Sequence, residues 1–392
     1  QSLIETGLER NTDLNVARLR VEAAASALLT AKLSYLPSLG LNAEGNAGKH
    51  DGATAKTYNA GATASWELDI FGNLTAAKRG AAAALQGSRD YRQAVQTQLV
   101  ATIADSYYTL AMLDAQMAIS HRTLENWQTT VRTLEALKKA GQSNEAGVLQ
   151  AKANVMQLES SLLSIRKSIS ETENALFAIL AMPSHSIARS NLVEAAFPDT
   201  VSIGVPLQLL SNRPDVRSAE FSLAQAFYTT NATRAAFYPS IVLSGSAGWT
   251  NSAGSMIVNP GKFLASAVGS LTQPLFNKGQ IMAQYRIAKA QQEEASLSFQ
   301  QALLNAGSEV NDALVACQTS KAKTLLFEKQ IQSLEKALES TSLLMEHGTT
   351  TYLEVLTARQ SLLSAQLSQT ANRFTEIQSV INLYQALGGG RE

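Results

Sequence analysis

The spacing of apolar and polar positions changes period at two prolines. Up to residue 34 the chain is Ala-rich and reads as helix; after Pro37 it alternates strictly. Leu39, Leu41, Ala43, Gly45 and Ala47 alternate with Gly40, Asn42, Glu44 and Asn46. A second run sets Tyr58, Ala60, Ala62, Ala64, Trp66 and Leu68 against Asn59, Gly61, Thr63, Ser65, Glu67 and Asp69. The same switch recurs after Pro239. Ile241, Leu243, Ala247 and Trp249 oppose Ser244, Ser246 and Thr250. Phe263, Ala265, Ala267, Gly269 and Leu271 oppose Ser266, Ser270 and Thr272, with Leu264 and Val268 interrupting the polar face. The pattern predicts four strands of about ten residues, near 37–48, 58–69, 239–250 and 263–275. Loops at 49–57 and 251–262 would join them in pairs.

Between the strand pairs the period is helical and the runs are long. No proline falls between Pro37 and Pro183, or after Pro274. The pattern therefore predicts helical hairpins over 72–182 and 277–387. At about 1.5 Å per residue, one such helix reaches on the order of 100 Å. Val148, Val155, Leu162, Ile169 and Leu176 are spaced by seven, as are Met156, Leu163 and, after a break at Ser170, Phe177, and also Leu356 and Leu363. Ile377 and Tyr384 resume the last series after a break at Thr370. Such spacing implies coiled-coil pairing. An ordinary antiparallel hairpin is the alternative, and helix length argues against it.

The two halves are copies. Asp13, Ala17 and Pro37 fall on Asp215, Ala219 and Pro239, a shift of 202. Later the shift is 207, pairing Asp105 with Asp312, Gly141 with Gly348 and Leu180 with Leu387. The chain reads as a first repeat over 1–182, a linker over 183–206 and a second repeat over 207–392.

Composition narrows the function. Net charge is zero over 392 residues, so no electrostatic footprint for nucleic acid exists. A lone cysteine, Cys317, precludes a disulfide within the chain. No run of 18 apolar residues is present for a membrane helix, and the abrupt start at "QSLIETG", without a signal-peptide pattern, is that of a mature or trimmed chain and says nothing about export. His50, His121, His185 and His347 are scattered, without metal-ligand spacing. No phosphate-cradling glycine loop is found, and "GSAGW" lacks the following helix of a nucleophile elbow. An enzyme, a metal site and a cofactor are not expected.

The strands suit a membrane barrel better than a soluble sheet. About ten residues cross a bilayer at a tilt. Aromatics mark both strand ends: Tyr35, Trp66, Phe237 and Tyr238 at one level, Tyr58, Trp249 and Phe263 at the other. That is the pattern of two interfacial girdles. Four strands cannot close a barrel, and an open edge is not tolerated in lipid. Several chains must share one barrel. Two would give eight strands and a filled interior; three would give twelve and a passage, which the Gly- and Ser-rich polar face favours. A soluble helical scaffold would leave the alternating strands unexplained.

The chain resembles the TolC/OprM family of outer-membrane efflux proteins over its whole length. The resemblance rests on "NRPDVRSAE" (212–220), "RAAFYPSIVLSGSAG" (234–248), "WELDIFGN" (66–73), "QPLFNKGQ" (273–280) and "HGTTTYLEVLTARQSLLSAQ" (347–366). It implies a membrane α+β fold: a homotrimeric 12-stranded β-barrel with four strands per chain, continued by a long α-helical coiled-coil periplasmic tunnel. It implies a location in the outer membrane of a Gram-negative bacterium, in contact with its lipid. It implies a periplasmic adaptor and an inner-membrane pump as partners, and export of drugs or other toxic small molecules. Export of proteins in a type I secretion system is the alternative. Lipidation, which many relatives carry on an N-terminal Cys, would need a residue outside this numbering.

The resemblance also places residues. The turns of the hairpins become tips that dock the adaptor, through Gly141, Gln142, Ser143, Asn144, Gly348, Thr349 and Thr350. Leu353 and Thr357, four apart on one helix face, match a constricting pair at the periplasmic gate. Some relatives have Asp where this chain has Thr357, so Tyr352 and Glu354 are candidates to complete the gate. Packing within a helical hairpin is the plainer reading of Leu353.

Overall fold

A computed structural model describes residues 2–50, 53–141, 144–185, 187, 189, 213–253, 256–347 and 349–389. Gln142, Ser143, Gly348 and most of the 183–206 linker lie outside the described residues. The elements in order are α1 (Ser2–Arg10), α2 (Thr12–Leu33), β1 (Ser38–His50), β2 (Ala53–Leu68), α3 (Asn73–Lys139) and α4 (Glu145–Ile179). After the linker come α5 (Pro214–Ala235), β3 (Ser240–Ala253), β4 (Met256–Thr272), α6 (Gln280–Glu346) and α7 (Tyr352–Ala386). Corresponding helices match in length: α2 and α5 have 22 residues, α3 and α6 have 67, α4 and α7 have 35.

The chain forms two compact units, and each draws on both halves of the sequence. One contains 1–16, 93–213 and 304–392; the other contains 17–92 and 214–303. The second unit holds a single antiparallel sheet in the order β1-β2-β3-β4. Its register brings the predicted apolar positions of all four strands to one face. Leu41 lies opposite Ala62, Ala62 opposite Ala247, and Ala247 opposite Ala265. Asn42, Gly61, Gly248 and Leu264 follow one another across the other face. Gly61 and Gly248 face each other so closely that a Cβ on Gly248 would lie 2.4 Å from the Ala60 carbonyl oxygen.

The strands are longer than ten residues, with 13, 16, 14 and 17. Most of 49–57 and 251–262, expected as loops, is strand. Alternation was the signal for strand, and it is required only where one face meets lipid. Beyond that depth polar residues continue the ladder without it. A register shift between Thr250 and Ser252 interrupts β3. There the Asn251 side chain substitutes for a strand neighbour of β2. It accepts from Tyr58 N at 2.6 Å and donates to Lys56 O at 2.8 Å.

In the helical unit, Val148, Leu162, Ile169 and Leu176 of the first seven-residue series are buried on α4, and Val155 is partly buried. Leu158 and Phe177 are buried beside them. Of the second series, Met156 and Leu163 stay 65% and 63% exposed on the single chain, whereas Phe177 is buried. Layers of side chains join the elements of this unit. Leu14, Ile103, Leu110, Leu176 and Phe177 pack together near α1. Trp127, Leu158 and Leu363 form another layer. Leu134, Val148, Ala151 and Leu356 form the layer next to the turns. Asn11 caps α2 through Leu14 N at 2.9 Å and ties it to the end of α4 through Ile179 O at 2.9 Å.

Candidate functional site

The two helical turns and the first residues of α7 are the candidate periplasmic entrance. At the first turn Gly141 adopts φ +76°, a conformation costly for any side chain. It is exposed, and its N–H bonds to Lys138 O at 3.0 Å, ending α3. Asn144 then caps α4, accepting from Gly147 N at 2.9 Å. Two ion pairs span the turn: Lys138 with Glu145, and Lys152 with Glu135 at 2.7 Å. The hydrogen bond from Lys152, and then its charge, hold the Glu135 carboxyl below the usual glutamate range.

The second turn is built differently. Thr349 closes α6, its N–H and hydroxyl both reaching Leu344 O at 2.9 and 2.8 Å. Thr351 stands at the N-cap of α7 with extended φ −89° and ψ 151°, yet its side chain makes no cap hydrogen bond. The Thr350 hydroxyl is buried with no partner. Among the described residues no ion pair links α6 to α7 here.

The first turn of α7 divides its side chains. Val355 and Leu356 are buried, and Tyr352 packs partly buried against the layer containing Leu134 and Leu356. Leu353 is 61% exposed, and Glu354 and Thr357 are exposed with it. The Thr357 hydroxyl is spent on its own helix, donating to Leu353 O at 2.9 Å. The exposed face of this turn therefore presents a leucine, a threonine methyl edge and one carboxylate.

One contact here is invisible in the sequence. Arg359 donates to Thr130 Oγ1 at 2.5 Å and to Asn126 O at 3.5 Å, binding α7 to α3. No local pattern marks it, because its partners lie 229 and 233 residues away. Asp105 and Asp312, equivalent by repeat, also part company. Asp105 accepts from Gln378 Nε2 at 2.8 Å, whereas Asp312 is exposed beside Ser308.

At the sheet, aromatic side chains gather at the two strand ends. Trp66 Nε1 donates to Tyr35 O at 3.0 Å, and the Tyr35 hydroxyl meets Thr75 Oγ1 at 2.8 Å. Tyr238 stacks on Phe71 with centroids 5.0 Å apart, and Phe237 meets Tyr285 edge-on. At the other end Trp249 packs against Phe263 at 5.3 Å, and the Tyr58 hydroxyl accepts from Gly261 N at 2.9 Å. Tyr58, Trp249 and Phe263 are 44%, 60% and 58% exposed, on the apolar face. Among the described residues no cluster of His, Cys, Asp and Glu fits a metal, and no helix is long and apolar enough to cross a membrane.

A sheet with one apolar face, two free edges and long helical hairpins defines a channel shared between identical chains. The chain belongs to the outer membrane efflux protein family, whose model matches residues 3–182 and 205–389. It is 29% identical to the cation efflux system protein CusC of Escherichia coli K12, covering 100% of this chain and 86% of that one. It is 28% identical to the solvent efflux pump outer membrane protein SrpC of Pseudomonas putida, covering 99% and 84%. A crystal structure of CusC superposes with a TM-score of 0.90 at 28% identity, over 99% of this chain and 92% of that chain. The outer membrane protein VceC of Vibrio cholerae superposes with a TM-score of 0.88 at 26% identity, over 100% and 96%. The fold class is thus a homotrimeric barrel of twelve strands, four from each chain, continued into the periplasm by long helices. The protein is an outer-membrane efflux channel and not an enzyme.

Proposed function

We propose that this channel is the passive outer conduit of a tripartite pump. An inner-membrane pump supplies the cargo and the energy, and a periplasmic adaptor docks on the two helical tips. The observation that carries the reading is the division of labour in the fold. One two-faced sheet suits lipid outside and water inside, while the helical turns end in small, exposed polar groups such as Gly141, Asn144 and Thr349. The docking set comprises these with Gln142, Ser143, Gly348 and Thr350.

The cargo is a toxic small molecule or ion. Relatives named for cation, solvent and pyoverdine export support that class over secreted protein. Deleting the gene in its host should raise sensitivity to metal cations, solvents or drugs at least several-fold, with the secreted proteins unchanged. Loss of one secreted protein with unchanged sensitivity would overturn this reading and favour type I secretion. The gate is the exposed face of the first turn of α7. Three copies of Leu353 close it, with Glu354 beside the passage, Thr357 one turn further in and Tyr352 fixing the helix to its neighbours.

A further inference from the structure

We propose that the helical unit holds a binding site for a small organic anion, between α3, α6 and α7. A cavity of about 430 Å³ lies there, well within the ~300–1,000 Å³ of small-molecule sites. Its polar lining includes Arg122, Thr123 and Asn126 from α3, with Arg359, Gln366 and Gln369 from α7, and Trp127 lies beside them. No acidic residue lines it among the described residues.

Two observations point to an anion. Arg122, exposed to solvent, makes no ion pair or hydrogen bond among the described residues. Arg359 reaches only neutral oxygens, those of Thr130 and Asn126, so no carboxylate balances its charge. Two guanidiniums lining one cavity without a carboxylate are the donor set for a carboxylate or a similar oxyanion.

The rest of the lining sets the ligand's shape. Ile119, Leu338 and Leu362 supply an apolar wall. A bare inorganic ion would leave that wall unfilled, whereas an aromatic carboxylate would cover it. A bound molecule of this class takes hydrogen bonds from α3 and α7 together. It would therefore reinforce the link that Arg359 already makes between them.

The test uses the complete detergent-solubilised channel, with benzoate as the probe and benzamide as its uncharged counterpart. Calorimetry should show saturable benzoate binding, one site per chain, with benzamide about fivefold weaker or more. Arg122→Gln should raise the benzoate Kd by about fivefold or more without unfolding the chain, since Arg122 holds nothing else. A variant carrying Trp66→Phe and Trp249→Phe leaves Trp127 as the sole tryptophan. Its emission should change with the same Kd. Absence of saturable binding, equal affinity for benzamide, or an Arg122→Gln protein that binds as before would each overturn the proposal. None of these readouts depends on the cargo or the pump.

Discussion

The two helical tips occupy equivalent places in the repeat, yet they are fastened differently: the second is closed by Thr349 on Leu344 O, the first by a cap, a glycine and ion pairs. The α3–α4 turn has a side-chain cap at Asn144, a left-handed glycine at Gly141 and two ion pairs. The α6–α7 turn has an uncapped Thr351, an unpartnered Thr350 hydroxyl and, among the described residues, no ion pair. Exposed ion pairs contribute little each, and a cap contributes about 1 kcal/mol. The sum is small but one-sided. Among the described residues the second tip, where the candidate gate residues sit, lacks the cap and ion pairs of the first, and lower local stability there is the expectation tested below. That is where an element required to move is expected.

The comparison breaks most completely if the layer beneath both tips is hollowed. Leu134 is fully buried and joins α3 to Val148 of α4 and Leu356 of α7. Leu134→Ala should cost about 3 kcal/mol locally. Amide hydrogen exchange should then speed up at both tips; a change confined to α3 and α4 would show that the layer is not shared. Next in size is the gate. Leu353→Ala removes the exposed leucine of α7, and single-channel conductance in planar bilayers should rise several-fold. Unchanged conductance would return Leu353 to simple packing.

A reciprocal exchange of caps sharpens the contrast. Asn144→Ala should lower the local stability of the first tip by about 1 kcal/mol, and Thr351→Asp should raise that of the second by about 0.5 kcal/mol. Exchange rates at the starts of α4 and α7 should converge. The smallest effect is that of pH. Glu135 has a folded-state pKa below its unfolded value, so its contribution is present above about pH 4.3 and fades as pH falls further. Acidification from pH 6 to 3.5 should accelerate exchange around Glu135 and Lys152 more than around Thr351. Equal acceleration would mean the ion pairs do not distinguish the tips.

Much of this was legible in the residues, for a physical reason. Strict alternation in Leu39–Ala47 and Tyr58–Leu68 can only be one apolar face, and the register confirms it across four strands. The proline-free runs gave the long helices, and Val148, Leu162, Ile169 and Leu176 form the buried stripe they predict. The strand ends were not legible. Lys49 and Lys56 continue the ladder although the apolar–polar alternation has stopped there. Nor were Arg359 with Thr130, or Trp127 with its unpaired N–H. Those depend on which helices become neighbours, a matter of long-range packing that no single helix's periodicity records.

The free edges of β1 and β4 have a genetic consequence. Each chain completes the sheet of the next, so a defective copy is built into the same ring as sound ones. In a cell making both forms in equal amounts, roughly one ring in eight would contain only sound chains if assembly is random. Substitutions that spoil the passage but spare the strand edges should therefore act dominantly. Those that spoil an edge should be recessive, because their products never enter a ring.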